Sequence, residues 1–384
     1  MSTPNQITEE LGRELHRRAD GLYEAPFTFD DVRGRARGIR RRRRVAAVTA
    51  TAAAVALVAT LSTTLAGGLN RADEPQPAPS PSTGRGASVL HDREVTLPGG
   101  GTVPVDIDNA DVSQFGVLTD GRILVANQKL SQIEVYDADG APATTYAVDF
   151  LTFTMSSSNG LAAWIDQRGR VQLLESGSPE PVAMPKMPVI NGTTPFIDAV
   201  TGDHCADGGC EVLVSDGTET VATVTLDGAE RLDTSEPMRV LDVSPDGDTW
   251  AVSFRSAGGE QYPCVGLYDP AAERVTARSC TGGNLDFSPD GEHLLSGRYE
   301  NNMAGEVAVL DRDLQEVAAI KPGKQVISRA TWADDTHVLA VLAGLDGNRW
   351  TLVRYPLDGG DPETVAGPVR GGNPEMMSEY LPTS

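Results

Sequence analysis

Nine side chains in this chain of 384 residues could bind a transition metal or move a proton near neutral pH. They are His16, His91, His204, His293 and His337, with Cys205, Cys210, Cys264 and Cys280. No pair of histidines stands in an H-E-x-x-H array, and there is no G-x-S-x-G elbow, P-loop or strand-following G-x-G-x-x-G. His293 and His337 each lie three residues beyond an aspartate, Asp290 and Asp334, which points to repeated architecture. Acidic turns (Asp137/Asp139, Asp246/Asp248, Asp311/Asp313, Asp334/Asp335) supply the oxygens that calcium prefers, yet none is a D-x-[DN]-x-[DN]-G loop. The sequence therefore predicts no catalytic residue, no metal site and no cofactor. Trp164, Trp250, Trp332 and Trp350 sit in strand-like runs, where packing between sheets is the expectation.

The cysteines have a different use. An even number, all in the C-terminal two thirds, fits two disulfides in an oxidising compartment. Of the three possible pairings, Cys205–Cys210 and Cys264–Cys280 are expected. The second follows from a hairpin: QYPCVGLYD and RVTARSC flank a turn at residues 270–274, and a hairpin centred on Ala272 places 264 opposite 280. Zinc is the weaker alternative, because neither spacing is C-x-x-C and only His204 is adjacent.

The elements that position these residues repeat. Val240-Leu-Asp-Val-Ser-Pro-Asp-Gly and Asn284-Leu-Asp-Phe-Ser-Pro-Asp-Gly are nearly superimposable, and a degenerate third copy starts at Ala330. Asp246, Asp290 and Asp334 are 44 residues apart, and looser copies lie near residues 114, 154 and 205. In S-P-D-G, proline fixes φ at the second turn position, glycine takes the positive φ that follows, and Ser and Asp cap local amides. Repeats of about 40–45 residues with four short strands each signify propeller blades. The strand, S-P-D-G, strand, strand-ending-in-Asp order over residues 110–367 resembles WD40-like and TolB-like repeats, although the G-H and W-D dipeptides of typical WD40 units are missing. The fold expected is all-β, a propeller of six or seven four-stranded blades, with residues 89–108 and the tail after Gly367 able to complete one blade between them.

Ahead of the repeats, no charged residue occurs from Val45 to Asn70. Val45–Leu65 would make a helix about 31 Å long, against a hydrocarbon core of ~30 Å. A transmembrane helix over 45–69 is expected. Thr64-Leu65-Ala66 loosely resembles a cleavage site, but 44 residues are long for the n-region of a cleaved signal peptide. Arg33, Arg35, Arg37 and Arg40–Arg44 flank the span on its N-terminal side, which puts residues 1–44 in the cytoplasm and residues 70–384 outside. Residues 70–88, with Pro75, Pro77, Pro79 and Pro81, form a semi-extended stalk, and 89–384 the extracytoplasmic propeller. In the leader, Ile7, Leu11, Leu15 and Leu22 share one face at helical spacing and could meet a partner.

Charge divides along the same lines. Residues 1–44 hold 11 arginines and 7 carboxylates; the chain totals of 32 basic and 54 acidic groups leave 21 and 47 beyond Arg44, a net −26. So acidic an outer part repels nucleic acid and anionic polymers and favours solubility or cationic partners. The whole resembles single-pass membrane proteins of actinobacteria that carry an external WD40-like or TolB-like propeller. That resemblance implies a non-catalytic binding module for a protein or cell-envelope ligand, localised to the cell membrane. A transmembrane regulator holding an extracytoplasmic-function sigma factor through residues 1–44 is the alternative, although the leader lacks the H-x-x-x-C-x-x-C of zinc-type anti-sigma domains. A cell-surface hydrolase or lyase on a propeller scaffold is the third reading.

Overall fold

The computed structural model describes residues 86–186, 195–205, 208–216, 220–232, 234, 238–254, 264–280, 283–297, 304–345, 349–371 and 380–383. The leader face of Ile7, Leu11, Leu15 and Leu22, the apolar span 45–69 and nearly all of the stalk lie outside the described residues. Among the described residues no helix is long and apolar enough to cross a membrane.

The described chain is a succession of short antiparallel strands. First come β1 (Val89–His91), β2 (Glu94–Thr96) and β3 (Thr102–Pro104). Next are β4 (Val112–Val117), β5 (Ile123–Asn127), β6 (Gln132–Tyr136), β7 (Pro142–Met155), β8 (Leu161–Asp166), β9 (Arg170–Glu175) and β10 (Val182–Lys186). Four quartets follow. They are β11 (Phe196–Thr201), β12 (Glu211–Ser215), β13 (Val221–Thr225) and β14 (Gly228–Arg231); then β15 (Met238–Val243), β16 (Trp250–Phe254), β17 (Cys264–Asp269) and β18 (Arg274–Ser279). The third is β19 (Asp286–Phe287), β20 (Leu294–Gly297), β21 (Val307–Leu310) and β22 (Glu316–Ile320). The fourth is β23 (Gln325–Asp334), β24 (His337–Gly344), β25 (Arg349–Pro356) and β26 (Glu363–Arg370), and β27 (Leu381–Pro382) ends the series.

Each quartet is one blade in sequence order, and β27 pairs with β1 to make a fifth four-stranded sheet, β27-β1-β2-β3. The two chain segments expected to share a blade do so. Neighbouring sheets meet in chain order around the whole domain, and β27 touches both β23 and β4, which closes the ring. The fold is thus an all-β propeller.

The expectation of six or seven four-stranded blades needs correction: five four-stranded blades stand alone, and the remaining strands form a single seven-stranded sheet, β4 to β10. The 14-residue β7 is the reason. Its first half pairs with β6 (Gln132 opposite Ala147), and its second half pairs with β8 (Phe153 opposite Trp164). Between Pro142 and Met155 there is no glycine and no further proline to break the strand. The repeats at 114 and 154 are therefore fused where a connecting loop separates the others.

Alternation along the second strand of each repeat explains the packing. In β12, Val212 and Val214 join the core shared with β8 and β9, while Leu213 joins the core shared with β15 and β16. In β24, Val338, Ala340 and Leu342 face one neighbour, and Leu339, Val341 and Ala343 face the other. A strand buried on both sides must be apolar at every position, which is why these runs read as continuous Val, Leu and Ala. Each buried Val or Leu side chain contributes about 1.5–3 kcal/mol by leaving water, and each alanine less.

Candidate binding site

The repeat turns are built as their residues require. Ser244 Oγ donates to Asp246 Oδ1 at 2.5 Å and accepts from the Thr249 N–H at 3.0 Å, while Asp246 Oδ1 also accepts from the Asp248 N–H. Ser288, Asp290, Glu292 and His293 reproduce this set in the next blade. Gly247 and Gly291 take φ of 77° and 75°. The third copy substitutes Asp334, which accepts from Thr336 and His337 and pairs with Arg354. Burial raises the Asp334 pKa, but these hydrogen bonds outweigh it and hold the carboxyl well below the usual range. The Asp246, Asp290 and Asp334 carboxylates are thus engaged by their own loops.

The inner strands carry a second polar series. Counting back four residues from Asp246 and Asp290 gives Asp242 and Asp286, and 44 residues before Asp242 lies Asp198. On the inner strands of other repeats, Gln114 and Thr154 also carry polar side chains. Several of these side chains tie one inner strand to the next. Gln114 exchanges hydrogen bonds with the Phe153 backbone at 2.8 and 3.2 Å, and Thr154 Oγ1 donates to Ile197 O at 3.3 Å. Asp242 Oδ2 accepts from the Phe287 N–H at 2.6 Å. Register shifts between Ile197 and Ala199, and between Val240 and Asp242, interrupt β11 and β15 beside the aspartates. Bulges of this kind re-aim side chains, here toward the axis.

The axis holds a cavity of about 340 Å³. Gln114, Thr154, Asp198, Asp242 and Asp286 line it, with Trp332 closing one side, and Pro245 and Pro289 of the S-P-D-G turns lie at its rim. Asp198 has a fully buried side chain, and Arg239 Nε stands 3.5 Å from its Oδ1. Burial pushes its pKa up to about 6; the Ser215 hydroxyl and the Arg239 charge pull it down, and the Asp216 charge adds to the rise. Asp242 rises to about 7 through burial and the neighbouring Asp286 charge, against the Phe287 and Val243 N–H donors. Asp286 rises to about 6 through burial. Its side chain is exposed and opens on the cavity.

A larger groove of about 440 Å³ opens beside the cavity and shares Gly86, Asn159 and Thr383 with it. His204 and Asp203 form part of its wall. Glu175 fixes that wall, accepting from the Cys205 N–H at 3.2 Å and lying 2.7 Å from His204 Nδ1. Among the described residues, no group of three His, Cys, Asp or Glu side chains could hold a metal ion.

The structure forms both expected disulfides. Val265 pairs with Ser279 and Gly266 with Arg278, so Cys264–Cys280 continues the register inferred from the sequence. Cys205–Cys210 closes the loop between β11 and β12. All four tryptophans are buried between strands, and Trp332 also donates from Nε1 to Asp286 O at 3.1 Å. His91 stacks on Tyr380 and His337 bonds Asp334, so the described histidines are scattered around the domain. The sequence reading passed over Asp198, Asp242 and Asp286. Their signal was an aspartate inside an apolar inner-strand run, repeated at 44 residues.

No family model matches the chain, and no curated protein matches it. Among solved structures, a chain of the mitotic checkpoint complex is 13% identical, covers 80% of this chain and 90% of its own, and gives a TM-score of 0.47. The β-propeller domain of Myceliophteria thermophila Cps50 (Swd1) is 9% identical over 68% of this chain and 88% of its own, at 0.47. The Dos1 propeller is 13% identical over 75% and 85%, at 0.48. With identities and TM-scores this low, the propeller rests on its own strand pairing, and these likenesses assign it no partner.

Proposed function

We propose that this protein is a non-catalytic interaction module: a propeller held outside the cell membrane by residues 45–69, which engages a protein partner at its channel mouth. The observation that carries the reading is the axial cavity, into which consecutive blades place Asp198, Asp242 and Asp286, with no histidine or cysteine among the described residues of its lining. Placement outside the membrane is supported by the arginines flanking an uncharged run and by the pairing of all four cysteines as disulfides. Co-purification of the full chain from membranes tests the reading. A stoichiometric partner is expected, released by substitutions at the mouth and retained by substitutions on outer strands. Turnover of a glycan or peptide by the pure protein, with no such partner, would overturn it.

The amphipathic spacing of Ile7, Leu11, Leu15 and Leu22 favours a second reading, in which the leader holds a sigma factor on the cytoplasmic side. Leu11→Asp with Leu15→Asp should then release sigma-dependent transcription. Unchanged transcription removes this reading and leaves the first intact.

A further inference from the structure

We infer that the channel mouth is a receptor for one cationic side chain, a lysine ammonium or arginine guanidinium, presented by the partner protein. This deepens the interaction reading above and depends on it for the carrier of the cation.

Three lines converge on that chemistry. Among the described residues, the cavity lining contains Asp198, Asp242 and Asp286 and no lysine or arginine. Asp286 is exposed and lines the cavity, and among the described residues no hydrogen bond or ion pair reaches its carboxylate. Asp198, whose side chain has no exposed surface, stands 3.5 Å from the half-exposed Arg239, and the Ser215 hydroxyl lowers its pKa against the rise from burial. Like charges gathered around one cavity disfavour one another, as the Asp286 charge does for Asp242, and a cation arriving from outside relieves that repulsion.

The remaining walls suit a long basic side chain better than a bare metal ion. No three carboxylates come close enough together to coordinate a metal among the described residues. An ammonium or guanidinium on a flexible stem can be bracketed by acids that stand apart. Leu241, Phe287 and Trp332 line the same cavity and offer apolar surface for its methylenes.

The test is calorimetric titration of the full chain, in detergent micelles, with three probes: a Gly-Arg-Gly amide, spermidine and calcium chloride. The peptide should bind at pH 8, and its affinity should fall about tenfold or more in Asp286→Asn through loss of one charged hydrogen bond. The wild type should lose affinity similarly at pH 5. The groups in play there are Asp198, Asp242 and Asp286, with Arg239 and Asp216 beside the first. The pH arm guards against a variant that changes the fold. Equal binding by the variant, binding that ignores pH, or heat only from spermidine or calcium would overturn the proposal. A silent peptide alongside a partner still captured at the mouth would remove the cation pocket while sparing the interaction reading.

Discussion

Asp242 of one blade accepts a hydrogen bond from the Phe287 backbone N–H of the next at 2.6 Å, across a separation of 45 residues. The same carboxylate accepts from its neighbour Val243 at 2.7 Å. It is therefore both a fastener between inner strands and one wall of the axial cavity. Its charge is held in place by two amides and disfavoured by burial and by Asp286, and burial outweighs the amides.

That balance gives stability an unusual pH dependence. The Asp242 carboxyl, raised to about 7 in the folded state, binds its proton more tightly there than in the unfolded chain. Its contribution is largest at acid pH and is lost as pH rises through about 7. Asp242→Asn should therefore be more stable than wild type at pH 8 by about 1–3 kcal/mol, with the difference closing by pH 5. Urea melts at the two pH values measure it.

Asp334 carries the opposite sign. Its carboxyl sits below the usual range in the folded state, so its contribution is present at neutral pH and fades only in strong acid. Asp334→Asn should cost about 1 kcal/mol at pH 7, a modest figure because the side chain is partly solvated. Thermal melts at pH 7 and pH 3 should show the deficit shrinking.

The hairpin bridge tests the register directly. Removing it with Cys264→Ser and Cys280→Ser opens a closed segment of sequence separation 16. A loss of about 3 kcal/mol is expected from the freed unfolded chain. Comparison of oxidised and reduced wild type by denaturant melts should give a similar or larger loss, since Cys205–Cys210 opens as well.

A pair of glycines separates backbone conformation from crowding. Gly140 has φ of 85° in the turn between β6 and β7, and an added Cβ would lie 1.8 Å from Pro104 O. Gly169 has φ of 69° with no atom within 4 Å of that position. Gly169→Ala should cost about 1 kcal/mol from the left-handed backbone alone, and Gly140→Ala at least ~2 kcal/mol more.

The fold was legible where local chemistry repeats. Ser244-Pro245-Asp246-Gly247 and its copy at 288–291 announced hairpins because each residue serves the turn itself. The 264–280 pairing followed from hairpin symmetry. The fused sheet could be read from the missing breakers across residues 143–155, but strand counting by repeats assumes a loop between blades. The cavity acids were hidden for another reason. An aspartate such as Asp242 in Val-Leu-Asp-Val reads as the polar face of a strand, and only closure of the ring turns that face toward the axis.

The most direct measurement of the central claim is site-specific photocrosslinking of the full chain in its native membrane. A photoreactive side chain replaces either Pro289, at the cavity rim, or Arg274, exposed on the outer strand β18. A discrete adduct from position 289, absent from position 274 and suppressed by Asp286→Asn, is the predicted result. Equal adducts from both positions, or an adduct confined to position 274, would contradict it.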